Sequence, residues 1–123
     1  MNKTMLIFDD DIYIQSICAL FLKDKGWDVD CRLDCNNILD VIDEVKPAVI
    51  LMDNGIPDTG GIIATHIIKA DERFKNIPVI YCSGNDDIEN LSSEAGADGY
   101  IEKPFDFDEL EKIIEQVTTG MAS

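Results

Sequence analysis

The stretch MLIFDDD, at residues 5–11, joins four apolar residues directly to three aspartates. Two later apolar runs end in related chemistry: AVILM at residues 48–52 precedes Asp53, and the short run at residues 100–101 leads to Lys103. Short continuous apolar runs are typical of buried strands in a parallel sheet. Because parallel strands share a direction, their carboxyl ends meet at one edge. The sequence therefore predicts a site for a divalent cation and a phosphoryl group at that edge.

Length and composition allow one domain and exclude several classes of partner. The chain has 123 residues, of which 46% are hydrophobic, a normal share for a protein with a core. Its 25 acidic and 10 basic residues give a formal net charge of −15. That charge opposes binding to nucleic acid or to a membrane surface, both of which need a basic face. With no membrane-length apolar run and no signal peptide before the first strand, we expect a cytoplasmic protein.

The four cysteines do not form a recognisable metal or disulfide pattern. Cys31 and Cys35 are four residues apart, but no second pair and no nearby histidine completes a zinc site. Cys18 and Cys82 lie within apolar stretches, which is typical of small core residues. We predict four free thiols.

Strand and helix patterns alternate five times along the chain. The predicted strands are 4–8, 27–32, 48–52, 79–83 and 99–102, and the predicted helices are 12–25, 36–45, 61–70, 88–95 and 106–118. Gly26 and Gly96 are expected to end the first and fourth helices. The second strand alternates apolar and polar residues, as an edge strand does. This pattern predicts an α/β fold with a doubly wound, five-stranded parallel sheet covered by helices on both faces.

Apolar residues on two helices predict how those helices pack. The first helix has them at helical spacing, namely Ile14, Ile17, Cys18 and Phe21. The third helix has more than one buried face requires, namely Ile62, Ile63, Ile67 and Ile68. It either packs more deeply than usual or exposes an apolar patch to a partner, and we favour the deeper packing.

The strand ends supply the groups that phosphoryl transfer requires. Carboxylates are ligands for Mg²⁺, and a carboxylate can also attack phosphorus to form an aspartyl phosphate. Lys103 would neutralise phosphoryl charge, and the hydroxyl of Ser83 would donate to a phosphate oxygen. Taken singly, Asp53 could start a turn and Lys103 could be a surface residue. Taken together, four strand ends that each carry a group needed for phosphoryl transfer indicate a phosphoryl-transfer site.

Motifs along nearly the whole chain resemble the receiver domain of two-component response regulators. They are LIFDDD at 6–11, VILMD at 49–53, Ile56-Pro57 with Gly61, PVI at 78–80 leading to Ser83-Gly84, and GADGYIEKPF at 96–105. The resemblance, to chemotaxis-type regulators, implies the strand order 2-1-3-4-5. It implies a receiver domain over residues 3–118, and we expect the terminal residues 119–123 to form a flexible tail.

The resemblance also implies which residues bind metal and phosphate. Asp53 would be the phosphoacceptor. Asp10 would bind Mg²⁺ directly, and Asp9 would bind it through water or as a second ligand. Asp53 itself and the backbone carbonyl of Gly55 would complete the protein ligands. Asp11 would start the first helix instead of joining the site.

The remaining implied residues would turn this site into a switch. Lys103, joined to Pro104 by a cis peptide bond, would contact the phosphoryl group. Ser83 would be the switch hydroxyl and Tyr100 the switch aromatic, and phosphorylation would alter the surface of the fourth helix, fifth strand and fifth helix. The chain would assist its own phosphorylation and dephosphorylation without being an enzyme for another substrate.

The implied partners are proteins. A sensor histidine kinase or a phosphotransfer protein would donate the phosphoryl group, and a downstream protein or an output domain would respond to it. The chain would be a monomer or a phosphorylation-dependent dimer. Gly55 and Asn85 lie where the family's residues control attack by water, so the lifetime of the phosphorylated form stays open.

Two other classes of protein are compatible with parts of the sequence. Asp9-x-Asp11 after a strand resembles the motif of haloacid-dehalogenase-type phosphatases, in which Asp9 would be the nucleophile, although Tyr13 departs from that motif and the chain is short for the class. A flavodoxin-like cofactor binder would need a phosphate-binding loop after the first strand, where this chain has three aspartates. The residue that becomes phosphorylated distinguishes a phosphatase from a receiver.

Overall fold

A computed structural model describes residues 2–119 and shows a parallel sheet of five strands with helices on both faces. The strands are β1 Thr4–Phe8, β2 Asp28–Arg32, β3 Val49–Asp53, β4 Val79–Ser83 and β5 Gly99–Glu102. The helices are α1 Ile12–Asp24, α2 Ile38–Val45, α3 Gly61–Ala70, α4 Ile88–Ala95 and α5 Phe107–Thr119. The sheet has the order β2-β1-β3-β4-β5, with every pair parallel. The predicted fold class and strand order are confirmed.

Each face of the sheet carries its own hydrophobic core. One core lies under α2, α3 and α4, and the other lies under α1 and α5. Because successive strand residues point to opposite faces, Ile50 and Met52 of β3 join the first core while Val49 and Leu51 join the second. All five residues of β3 are buried, which explains its uninterrupted apolar sequence before Asp53.

Helix termini follow local sequence signals. Asp11 is the N-cap of α1, and its side chain accepts hydrogen bonds from the backbone N–H groups of Tyr13 and Ile14. Gly26 and Gly96 lie just past α1 and α4 with φ of +90° and +77°, a region that favours glycine. In residues 2–119, no helix has both the length and the apolar composition needed to cross a membrane.

The end of α5 differs slightly from the prediction. The helix continues through Thr119, where the flexible tail was expected to begin. The rest of that tail, residues 120–123, lies outside the described residues. The predicted domain limits of 3 and 118 stay a prediction.

The apolar residues of α1 and α3 are only partly buried. In α3, Ile68 is buried and Ile62 and Ile67 pack partly buried against the core, which agrees with deeper packing, while Ile63 is 57% exposed. In α1, Cys18 is buried but Ile17 is 47% exposed, because α1 carries more apolar residues than its buried face accommodates.

The cysteines are free thiols, as predicted. Cys18, Cys35 and Cys82 are buried, and Cys31 is partly buried in the core under α1 and α5. Burial raises the pKa of Cys18 to about 11 and that of Cys82 to about 12, so both stay protonated at neutral pH. They are core residues.

Candidate functional site

One lysine bridges two carboxylates at the carboxyl edge of the sheet. Lys103 Nζ lies 2.9 Å from Asp9 Oδ2 and 2.8 Å from Asp53 Oδ1. Asp9 follows β1, Asp53 ends β3 and Lys103 follows β5, so three strands contribute one side chain each. Asp9 is 2% exposed and Asp53 is 8% exposed. The predicted meeting of these strand ends is confirmed.

The second oxygen of each carboxylate is held by a backbone N–H group. Asp11 N donates to Asp9 Oδ1 at 2.9 Å, and Gly55 N donates to Asp53 Oδ2 at 3.1 Å. Each carboxylate therefore has one oxygen paired with the ammonium group and the other fixed by the chain. This arrangement sets the orientation of both groups before any ligand binds.

Gln15 is a site residue that sequence reasoning missed. It is 8% exposed, and its side-chain amide donates to the backbone carbonyl of Asp9 at 2.6 Å and to that of Arg32 at 2.9 Å. These bonds fix the ends of β1 and β2 against α1. The available signal was a polar residue in the first turns of an otherwise apolar helix, six positions after Asp9.

Burial and pairing have opposite effects on these charges. Burial raises the pKa of the Asp9 carboxyl, although the N–H of Asp11 and the ammonium group of Lys103 both oppose the rise. Burial alone would lower the pKa of Lys103, but its hydrogen bonds to Asp53 and Asp9 outweigh that effect and raise it. Lys103 is therefore firmly cationic, and Asp9 carries a buried charge that a second cation would stabilise.

The cluster has the donor set of a hard cation. Asp9, Asp10 and Asp53 each offer a carboxylate oxygen, and these atoms lie within 4.8 Å of one another. No other group of three or more potential ligands of this kind occurs in the part of the chain that the structure describes. Oxygen-only ligands suit Mg²⁺ better than zinc, and exposed Asp10 leaves one side open to water. Asp11 is engaged in capping α1 and is not a member.

Gly55 and Gly61 both lie close to Asp53, and Gly61 allows the chain to turn tightly there. A Cβ on Gly55 would lie 3.4 Å from Asp53 Oδ2, so its backbone adjoins the cluster where a carbonyl ligand was predicted. A Cβ on Gly61 would lie 2.6 Å from the carbonyl oxygen of Asp53, closer than real contacts allow. Only glycine at position 61 lets α3 begin this close to the end of β3.

Ser83 and Tyr100 lie on the two strands nearest Lys103. Ser83 ends β4 and is 6% exposed, and its carbonyl oxygen accepts from Lys103 N at 2.8 Å. Tyr100 lies on the edge strand β5, is 42% exposed and borders α5 at Ile113. The Lys103–Pro104 peptide bond is cis, as the resemblance implied. The serine is therefore close to the lysine backbone, and the tyrosine lies on the outer surface.

An exposed apolar surface on α1, not predicted from the sequence, adjoins the site. Tyr13, Ile17 and Leu20 are 80%, 47% and 76% exposed. Their spacing of four and three residues places them on one side of the helix. Ile17 also lines an apolar groove between α1 and residues 103–107. We call these three residues the α1 surface.

Comparison with known proteins identifies the family. The sequence model for the response regulator receiver domain matches residues 5–115, a range that includes every site residue named above. The chain belongs to this family. The phosphate regulon transcriptional regulatory protein PhoB of Pseudomonas aeruginosa is 36% identical over 112 residues. That match covers 89% of this chain and 49% of PhoB, so the chain spans about half of that relative's length.

Solved structures of receiver domains have the same fold. The receiver domain of sensor histidine kinase PA1611 from Pseudomonas aeruginosa is 27% identical with a TM-score of 0.85, over 96% of this chain and 98% of that one, and has a magnesium ion coordinated in its active site cleft. The receiver domain of NtrX from Brucella abortus is 28% identical with a TM-score of 0.83, over 93% of this chain and 97% of that one. Chemotaxis response regulator CheY4 of Vibrio cholerae, 24% identical with a TM-score of 0.87 over 95% and 99%, shows the fold alone.

Replacing Lys103 with methionine tests the bridging interaction. Lys103→Met leaves Asp9 and Asp53 without their shared cation, so we expect the free energy of unfolding at pH 7 in chelator to fall by about 1–3 kcal/mol. The loss should shrink as the pH is lowered, because protonation of the carboxyls removes their repulsion.

Denaturant unfolding at pH 7 and pH 5 measures both effects. Lys75→Met is the matched control, since Lys75 pairs with Glu72 at 2.9 Å on the surface and its loss should cost less than about 0.5 kcal/mol. Equal losses of unfolding free energy in the two variants, or a larger loss for Lys103→Met at pH 5 than at pH 7, would contradict the bridging role.

Proposed function

We propose that this chain is a phosphoacceptor switch of a two-component phosphorelay. Asp53 accepts a phosphoryl group from the phosphohistidine of a sensor histidine kinase or a phosphotransfer protein. The observation that carries the proposal is the contact of Lys103 Nζ with Asp53 and Asp9, beside the carboxylate of Asp10. Family membership supports it, because receiver domains are generally signalling switches.

The geometry suits transfer to Asp53. One carboxylate oxygen of Asp53 forms the bond to phosphorus while the phosphorus–nitrogen bond to the donor imidazole breaks. Lys103 already contacts this carboxylate and pairs with the phosphoryl oxygens as they arrive. Asp9, Asp10, Asp53 and the carbonyl of Gly55 would hold Mg²⁺, which when bound neutralises phosphoryl charge.

The alternative of a haloacid-dehalogenase-type phosphatase, with Asp9 as its nucleophile, has no support among the comparisons. The receiver family model matches residues 5–115, and the resemblance to that family implies Asp53, not Asp9, as the phosphoacceptor. Asp9 also lies at 2% exposure, held by Lys103 and by the N–H of Asp11. We assign Asp9 to metal binding.

Mapping the acyl phosphate tests the assignment. With Mg²⁺ and acetyl phosphate, followed by borohydride trapping and mass spectrometry, we expect label on Asp53 and none in Asp53→Asn. Asp10→Asn should weaken Mg²⁺ binding by about tenfold, because it removes a charged ligand from an oxygen site.

Asp11→Asn is the control for Asp10→Asn. Asparagine accepts the same capping hydrogen bonds as aspartate, so Mg²⁺ binding and labelling should stay unchanged. Label on Asp9 would instead identify a phosphatase nucleophile, and equal Mg²⁺ affinities for the two asparagine variants would remove Asp10 from the site.

We further propose that phosphorylation draws Ser83 towards the phosphoryl group and that Tyr100 rotates into the space left. Ser83 lies opposite Glu102 in the register of β4 and β5, two residues along from Tyr100. The added negative charge would shift an existing equilibrium between two conformations of the α4–β5–α5 surface. A downstream protein, an output domain or a second copy of the chain would recognise that surface.

Nuclear magnetic resonance with beryllofluoride and Mg²⁺ tests this switch. We expect backbone shifts in α4, β5 and α5 of the wild type, smaller shifts in Ser83→Ala, and none in Asp53→Asn. An unchanged wild-type spectrum, or equal changes in Asp53→Asn, would contradict the switch.

The α1 surface is our proposed contact for the phosphohistidine protein. A protein donor must bring its imidazole to Asp53, so it must also cover the surface beside the site. Exposed apolar residues on one side of a helix suit packing against another helix. Ile17 and the groove next to residues 103–107 connect this surface to Lys103.

Transfer from a protein donor should depend on the α1 surface, whereas transfer from acetyl phosphate should not. The donor is the phosphohistidine protein that phosphorylates this chain fastest. For Leu20→Ser we expect transfer from this donor to slow by about tenfold, because about 1.4 kcal/mol is lost from an apolar contact. Ile63→Ser is the control, because Ile63 is similarly exposed but lies on α3. Equal rates for the two variants would exclude this surface.

A further inference from the structure

A hydrogen bond outside the cluster of Asp9, Asp10, Asp53 and Lys103 connects β4 to the turn after Asp53. Tyr81 lies on β4, two residues before Ser83, and its hydroxyl donates to Asn54 Oδ1. Its ring is fully buried in the core under α2, α3 and α4. Asn54 follows Asp53 directly in the chain. Neither Tyr81 nor Asn54 belongs to the predicted phosphoryl and metal site.

The Tyr81 hydroxyl is closely surrounded. A Cβ added to Gly61 would lie 2.9 Å from its oxygen, so the first residue of α3 packs against it. Burial raises the pKa of Tyr81 to about 12, and the hydroxyl therefore remains a donor at neutral pH. A buried phenol requires a hydrogen-bond partner, and in this structure the partner is Asn54.

The Asn54 side chain restrains the turn that orients Asp53. The next residue, Gly55, supplies the N–H that donates to Asp53 Oδ2. Gly55 has no side chain through which its own conformation could be fixed. Two hydrogen bonds hold the backbone of Asn54. Its N–H donates to Cys82 O at 2.8 Å, and its carbonyl oxygen accepts from Gly61 N at 3.0 Å. The hydrogen bond to Tyr81 also restrains the side chain of Asn54, directly before the flexible residue Gly55.

We propose that Tyr81 is a positioning residue that acts through Asn54 to hold the Gly55 N–H against Asp53. Its kinetic consequence rests on the proposed function, because a correctly oriented Asp53 accepts a phosphoryl group faster. Its structural consequence, the order of the Gly55 peptide, does not depend on phosphorylation. The two consequences can therefore be measured separately.

The structural test uses Tyr81→Phe, which keeps the ring and removes only the hydroxyl. In metal-free protein kept in chelator without a phosphodonor, we expect hydrogen exchange at the Gly55 amide to accelerate about three- to tenfold, because one neutral hydrogen bond is lost. The amides of β4 should keep their wild-type protection. Unchanged exchange at Gly55, or faster exchange at every amide, would overturn the proposal.

The kinetic test uses acetyl phosphate with Mg²⁺. Tyr81→Phe and Asn54→Ala should each slow labelling of Asp53 by about three- to tenfold, and the double variant should be no slower than either, because both remove the same bond. Asn2→Ala is the control, since Asn2 bonds Lys46 O at the opposite edge of the sheet. Wild-type rates or additive losses would overturn the proposal, whereas an unlabelled wild type would overturn the proposed function instead.

Discussion

The contact of Lys103 with Asp9 and Asp53 is the interaction on which the site depends. It joins residues that are 94 and 50 positions apart, so it exists only when β1, β3 and β5 lie in their observed order. Strand β4 separates β5 from β3, and the long lysine side chain spans that separation. One ammonium group between two carboxylates leaves negative charge to be balanced, and Asp10 increases it. The same geometry that stabilises the lysine therefore favours a second cation and a phosphoryl group.

The surrounding backbone makes this charge arrangement specific. Asp9 is oriented by the N–H of Asp11 and Asp53 by the N–H of Gly55, so neither carboxylate is free to turn towards solvent. Gln15 fixes the strand end that carries Asp9, and Tyr81 with Asn54 restrains the turn after Asp53. Preorganised groups avoid the cost of reorientation during transfer. If Asp53 accepts a phosphoryl group as proposed, residues of the core and of the turns contribute to chemistry that they do not touch.

Local patterns in the sequence predicted the strands, the N-cap of α1, the glycines that follow α1 and α4, and the charged residues at the sheet edge. Asp11 as an N-cap and Gly26 after α1 depend on neighbouring residues only, and the sheet edge follows from parallel strands that share a direction. The roles of Tyr81 and Gln15 could not be predicted in this way. A tyrosine in an apolar strand has the same pattern as any core aromatic, and the partner of its hydroxyl is 27 residues away. The exposure of Ile17 likewise depends on how much of α1 the sheet and α5 cover.

The ionisation of Lys103 tests the central claim most directly. In metal-free protein, nuclear magnetic resonance of its ammonium group during a pH titration gives its pKa. Pairing with Asp53 and Asp9 predicts a pKa above the ordinary value of 10.5, and a lower pKa in Asp53→Asn. Burial without pairing shifts a lysine in the other direction. A wild-type pKa at or below the ordinary value would therefore contradict the account.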